Sequence, residues 1–376
     1  MNGIEIKSPE NDNNAILSIQ RNPDIKKRCI ELLRDIKCKC EIVKNFAPSW
    51  FASIMGTGIL ALTSDFYSQY IPWLKEAALA LFYFNVILFF VLLIPWILRW
   101  VLFKKESYES LKHPINSNFY PTISVGMMVL SSDFLVIGKN DLMGSIFWFS
   151  GAAITVLFGI YLPYSMFKGD HVRIEHINPA WFIPPVGLIV IPIAGSLLID
   201  KFTGTVQELV VLTNFVGWGA GFFIYLFLLA LVTHRFILHK PLPNILAPTI
   251  WINLGPIGAG TVALINLVQH SSIITVKEPF LVFGMIFWGF GIWWAAIAIL
   301  MTVHYIRRLK LPYAMSWWAF TFPLGAYVAA SHVVAKTFSL EIVDYVGFAL
   351  FLLLVCFWVV TFINTVRYTY HGTVFK

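Results

Sequence analysis

Charge is what this 376-residue chain has least of. Asp, Glu, Lys and Arg make up 12% of it, about half the share of a soluble domain. Hydrophobic residues make up 58% and aromatics 16%. So little charge cannot cover 33 Phe and 14 Trp, which excludes a soluble enzyme, a nucleic-acid binder and a disordered scaffold. The solvent for such a chain is lipid. Cysteine is scarce too: Cys29, Cys38 and Cys40 lie in the polar first segment and Cys356 in a late apolar run. Cys38-Lys39-Cys40 has no second pair to complete a metal site, and the scattered thiols read as reduced. No cleavable leader is visible, because the first 45 residues lack an apolar stretch. The apolar runs carry no nucleophile constellation and no metal-ligand cluster, so neither enzymatic activity nor a cofactor is expected.

What is abundant is the apolar run long enough to cross about 30 Å of hydrocarbon. Ten occur, at 46–64, 77–103, 119–138, 142–166, 179–199, 207–233, 246–269, 279–305, 314–335 and 343–366. The expected organisation is a polar tail over 1–45, a ten-helix transport domain over 46–366 and a short second tail over 367–376. The connections are short, so neighbouring spans are expected as antiparallel hairpins. The net charge of +7 sits in the loops. Of 27 Lys and Arg, all but Lys75, Lys139, Lys201, Lys277 and Lys336 fall on the side that holds both termini. By the positive-inside rule that side is the cytoplasm. A multi-pass protein of the plasma membrane, in contact with lipid and with no nucleic-acid partner, is expected. The tail segment Pro23 to Val43 reads as an amphipathic helix with Ile25, Ile30, Leu33 and Ile36 on one stripe.

Proline and glycine alternate with the spans. Odd spans carry the breakers: Pro48, Gly56 and Gly58; Pro121 and Gly126; Pro184, Pro185 and Gly187; Pro248, Gly255, Pro256 and Gly258; Pro323 and Gly325. Even spans are richer in Phe, Leu and Val and contain few prolines, Pro95 and Pro163. Fragments recur as well. Pro48-Ser49-Trp50-Phe51 followed by Gly56 matches Pro179-Ala180-Trp181-Phe182 followed by Gly187. Hairpin repeats of this kind are common in transporters. Proline inside a helix removes a backbone hydrogen bond and bends the axis, and in lipid the freed carbonyl must be covered. The fold expected is therefore all-α, five hairpins in pseudo-five-fold array, with an inner ring of kinked odd helices around a pore and an outer ring facing lipid.

The pore so built is expected to be nearly uncharged. Candidate lining residues are Ser53, Thr57, Ser124, Asn253, Gly255, Gly258 and Thr261, with Ser131, Ser132, Asn266, Thr321 and Ser331 as further small polar groups on odd spans. Weak neutral sites of this kind pass ions without trapping them. A single carboxylate, Asp133, lies well inside an apolar run. A cation path is expected to carry several, and basic residues at the cytoplasmic mouth concentrate anions. Anions are thus the expected cargo. Asp133 and His332 are placed at one depth near the outer ends of parallel spans, where a carboxylate and an imidazole can relay protons. Each can equally be satisfied locally.

Three segments carry a family resemblance: Asn45-Phe46-Ala47-Pro48-Ser49-Trp50-Phe51 running to Gly58, Asn253-Leu254-Gly255-Pro256-Ile257-Gly258-Ala259-Gly260, and Trp317-Trp318-Ala319-Phe320-Thr321-Phe322-Pro323-Leu324-Gly325. Over residues 45 to about 370 the chain resembles the tellurite-resistance/dicarboxylate transporter family, which includes malate permeases, sulfite efflux pumps and slow anion channels. The resemblance implies a homotrimer whose protomers each hold a pore lined by the five odd helices. It implies further that the phenylalanine before the kink proline of span nine, Phe322 before Pro323, plugs that pore. Asp133 matches no motif of the family. A C4-dicarboxylate such as malate is the first substrate expected, with or without protons. A passive gated channel for chloride or nitrate, and sulfite or tellurite efflux, are the alternatives.

Overall fold

The computed structural model describes residues 40–169 and 173–375; most of the tail, including the greater part of the expected amphipathic helix, lies outside the described residues. Among the described residues every regular element is helical. The ten principal helices are α1 (Ala52–Tyr67), α2 (Leu74–Leu102), α3 (Thr122–Val136), α4 (Asp141–Lys168), α5 (Ile183–Leu198), α6 (Gly204–Leu238), α7 (Leu254–His270), α8 (Glu278–His304), α9 (Phe322–Phe338) and α10 (Glu341–His371). Among the described residues nine of the spans are long and apolar enough to cross a membrane on those criteria alone. The remaining one, α1, has 16 residues and is prefixed by the short 3-10 turn Pro48–Phe51.

The odd helices form a closed ring. α1 packs on α3, α3 on α5, α5 on α7, α7 on α9, and α9 back on α1. Each even helix lies against its hairpin partner and also touches the next odd helix, with α10 closing the circle from α9 to α1. Burial follows the same alternation. The spans holding α3, α5, α7 and α9 are 78%, 89%, 94% and 83% buried, whereas those of the even helices are 22–39% buried. In α1, 13 of the 16 residues are buried. The outer faces present Ile87, Phe90, Ile94, Leu157, Phe227 and Ile286, side chains whose exposure is favourable only in lipid.

The inner spans are broken rather than bent. Each opens on a 3-10 segment, namely Pro48–Phe51, Asn116–Phe119, Pro179–Phe182, Asn244–Asn253 and Met315–Phe320. These five segments touch one another in the same cyclic order as the helices they precede. The repeated prolines mostly fall at the changes of helix type. Pro121 caps α3, and Pro184, Pro256 and Pro323 sit in the first turns of α5, α7 and α9. There the lost N–H matters least. Only Pro192 interrupts an inner α-helix away from its first turn. Pro95 and Pro163 lie inside outer helices.

Outer-ring tryptophans tie the rings together. The indole N–H of Trp148 on α4 donates to Ile191 O on α5 at 2.9 Å, and that of Trp218 on α6 to Gly260 O on α7 at 3.1 Å. Trp288 on α8 donates to Ser331 Oγ on α9 at 2.9 Å, and Trp358 on α10 to Thr57 Oγ1 on α1 at 3.1 Å. Each indole reaches the odd helix that follows its own, so the bridging seen in packing is also hydrogen-bonded. The entry to the first span meets the last described residues: Asn45 Nδ2 donates to Phe375 O at 2.6 Å, and the Trp50 ring lies between Phe46 and Phe375 at 5.7 and 5.6 Å.

Glycine permits the tightest inner contact. A Cβ on Gly258 of α7 would stand 2.5 Å from the backbone carbonyl carbon of Ala326 and from the amide nitrogen of Tyr327, on α9. Backbone cannot step aside as a flexible side chain can. Gly258→Ala is therefore expected to destabilise the protein by about 1–3 kcal/mol, read as a lower melting temperature in detergent. Gly219→Ala, with nothing within 4 Å, should leave it unchanged; equal melting of the two variants would refute this account.

Candidate functional site: an axial path interrupted by one ring

Two cavities lie in line along the axis of the inner ring, and all five odd spans contribute to both. The first lies toward the end where the odd helices begin. The second lies toward the opposite end and is the larger of the two. Phe322 is the one residue common to the two walls. It is 5% exposed and opens α9 immediately before Pro323. A third space of about 1110 Å³, the vestibule, holds Lys44, Arg99 and Glu106 and meets the first cavity at Phe119, Met315 and Ser316.

The lining follows one register. α1 with its turn gives Ala52, Met55, Ile59, Leu62 and Phe66; α5 gives Ile183, Val186, Val190, Ile193 and Leu197. The seventh span gives Ile252, Gly255, Ala259, Val262 and Asn266, and the ninth gives Ala319, Phe322, Ala326, Ala329 and Val333. Each set advances by three and four residues in turn, the stripe by which a helix keeps one face toward an axis. α3 keeps the same register with Thr122, Val129, Ser132 and Val136. Phe322 thus occupies the position held by Met55 on α1, Val186 on α5 and Gly255 on the seventh span. The bulkiest side chain of that layer shares it with a residue that has none.

The wall is more apolar than the sequence suggested. Of the seven residues expected to line it, Gly255 does. The others belong to neither axial cavity wall. Ser53 Oγ donates to Trp50 O at 2.7 Å, and Ser124 Oγ to Pro121 O at 2.9 Å. Thr57 receives the Trp358 indole, and Thr261 Oγ1 donates to Ile257 O at 2.8 Å. Asn253 is buried facing Tyr225 of α6, and Gly258 serves the contact with α9. A hydroxyl inside a helix in lipid bonds its own preceding turn or the neighbouring ring, which keeps these groups off the axis. Of the further small polar groups, Ser132 and Asn266 reach the wall.

Asp133 and His332 have different partners. Asp133 is fully buried, facing Asn85 of α2 across Gly58, whose missing side chain leaves the room. His332 stacks on Phe66, with ring centroids 5.0 Å apart, and its Nδ1 lies 2.9 Å from Asp344 Oδ1. Asp344 also accepts from Tyr70 Oη at 2.7 Å and Gln69 Nε2 at 3.1 Å, and Lys336 Nζ donates to Gln69 Oε1 at 3.1 Å. This cluster was not legible in the sequence. Asp344 stands in the first turn of α10, where an acidic residue reads as ordinary helix-end chemistry.

An all-helical membrane protein with two axial cavities whose walls share Phe322 belongs to the class of transporters and channels. The comparison with known proteins specifies the family. Residues 45–366 match the SLAC1 family, described as voltage-dependent anion channel, and the chain belongs to that family. It is 59% identical over 345 residues to an uncharacterized transporter of Methanocaldococcus jannaschii, covering 92% of this chain and 99% of that one. It is 28% identical to a sulfite efflux pump of Arthroderma benhamiae, over 86% of this chain and 91% of the pump. A malic acid transport protein of Schizosaccharomyces pombe is 21% identical, over 86% and 78%.

Removing Asp344 leaves three donors without their acceptor. Asp344→Ala is expected to lower stability by about 1–3 kcal/mol, read as melting temperature in detergent. Tyr70 lies in the connection ahead of α2, and its hydrogen bond to Asp344 pushes the phenol up to about 12 from 10.0. A raised folded-state pKa contributes stability below the unfolded value and loses it through the folded one. The advantage of wild type over Tyr70→Phe should therefore hold below pH 10.0 and vanish by about pH 12. An advantage that persists at the higher pH would dismiss the bond.

Proposed function

We propose that the chain conducts small, singly charged anions along the axial path, with Phe322 as its gate and hydrogen sulfite as the favoured substrate. The observation that carries this reading is the pair of in-line apolar cavities sharing Phe322 alone. The penalty for taking an ion out of water grows with its charge, and a doubly charged ion needs fixed partners inside. Among the described residues, neither axial cavity wall contains Lys, Arg or His. A C4-dicarboxylate, the substrate first expected, would have to shed the water of two carboxylates against Ile, Val and Ala. The sulfite efflux pump is also nearer in sequence than the malic acid transport protein.

Attraction without trapping comes from the backbone. All five inner spans begin at the same end of the bundle, so their peptide N–H groups point toward the vestibule and give it partial positive charge. The same end collects most of the Lys and Arg of the chain, and we read it as cytoplasmic in a plasma-membrane protein. The assembly is read as a homotrimer in lipid with one path per protomer; cross-linking in mild detergent should stop at three subunits.

The test is flux in liposomes, with hydrogen sulfite, chloride, nitrate and malate offered in turn. Sulfite should pass and malate should not. Phe322→Ala should raise flux on the order of tenfold, equivalent to about 1.4 kcal/mol off the barrier; unchanged flux in the folded variant removes the gate. Reversal is expected at the anion's own Nernst potential whatever the pH gradient. A shift with pH that Asp133→Asn abolishes would instead assign proton-coupled transport to that carboxyl group, and one that His332→Ala abolishes would assign it to the imidazole.

A further inference from the structure

We infer that Arg99 forms an oxyanion-docking site in the vestibule, the first station of the path; the inference rests on the anion-transport reading above. Arg99 lies in the last turn of α2 and is 6% exposed. Its Nε donates to Lys44 O at 3.1 Å, which fixes the guanidinium plane. Its Nη1 makes no hydrogen bond within the described residues. The neighbouring Tyr120 hydroxyl donates to Ser107 O at 2.8 Å. A buried guanidinium N–H without an acceptor is expensive, and Arg99 is one of the residues that surround the vestibule.

The surroundings distinguish this arginine from its structural counterpart. Arg235 sits at the matching place on α6, three residues from the helix end as Arg99 is on α2, and is 5% exposed. It too caps backbone, through Nη1 to Lys240 O. Arg235 lines neither the vestibule nor either axial cavity. Helix-end capping therefore accounts for both arginines, but only Arg99 meets the path. Two other charges share the vestibule wall, Lys44 and Glu106, and they pair at 3.3 Å. Glu106 is largely neutralised by that pair, which leaves Arg99, among the described residues of the vestibule wall, without a carboxylate partner.

The chemistry selects the ligand class. A guanidinium is a planar fork that meets two oxygens of one oxyanion, whereas an ammonium is a point charge. Sulfite, hydrogen sulfite and related small oxyanions fit the fork; chloride, a sphere, gains only the charge. From this site the anion reaches the first cavity past Phe119, Met315 and Ser316, which line both spaces. Docking lies outside the apolar section, so it concentrates anions without holding them beneath the gate.

The test measures the half-saturating concentration for sulfite and for chloride in liposome flux, alongside the rise in melting temperature each anion gives the solubilised full chain. Arg99→Gln should raise the sulfite value on the order of tenfold, the loss of one charge-assisted hydrogen bond. Arg99→Lys, which keeps the charge without the fork, should raise the value for sulfite more than for chloride. Arg235→Gln should change neither. An unchanged sulfite value in folded Arg99→Gln overturns the site. If that variant does not fold, Arg99→Lys decides, and equal values for both anions relative to wild type overturn it. A chain that passes no anion, yet is stabilised by sulfite only when Arg99 is present, would keep this site and reject the transport reading.

Discussion

The structure depends on one constraint: in lipid, no backbone polar group can be left to water. Five inner spans whose helices change type partway, from 3-10 turn to α-helix, would be untenable alone in a membrane. They persist because each is covered by its own hairpin partner and by the preceding one. The indoles of Trp148, Trp218, Trp288 and Trp358 show what this cover supplies. Each brings a donor from the outer ring to an inner backbone carbonyl or hydroxyl. The greasy outer helices therefore act as lipid shield and hydrogen-bond partners together.

That division of labour leaves the inner face of the inner ring free. Most of its polar groups are drawn outward, toward helix backbone and outer-ring tryptophan, and what remains on the axis is mainly apolar, with Thr122, Ser132 and Asn266 as exceptions. At the layer of Phe322 the neighbouring inner helices contribute Gly255 and two medium side chains, Met55 and Val186. The charged groups gather at the ends. Arg99, Lys44 and Glu106 lie at one mouth, and the network of Asp344, His332, Tyr70, Gln69 and Lys336 at the other.

Much of the fold was legible because its signals are local. An apolar run of sufficient length marks a span whatever surrounds it, and a proline marks a break whatever packs on it. The alternation of broken and greasy spans sufficed to assign the rings, and the Phe322-Pro323 pair pointed to the axis. The site was less legible. Ser53, Thr57, Ser124, Asn253, Gly258 and Thr261 lie on the inner spans but outside the two axial cavity walls. A helix that is apolar all round gives no periodicity from which to choose a face. Asp133 and His332 looked like partners because they lie at similar depth, yet depth says nothing of azimuth. Arg99 read as one more basic loop residue.

Sequence alone thus determined what a one-dimensional pattern can encode: membrane residence, the number and alternation of spans, the asymmetry of charge between the two sides and the break before α9. Tertiary structure decided the azimuth of every helix about its own axis. A rotation of one residue, about a hundred degrees, exchanges pore wall for ring interface while leaving hydropathy and span length untouched. Only contacts between rings set that angle. They placed a mainly apolar register on the axis, sent most of the hydroxyls outward and gave His332 to Asp344.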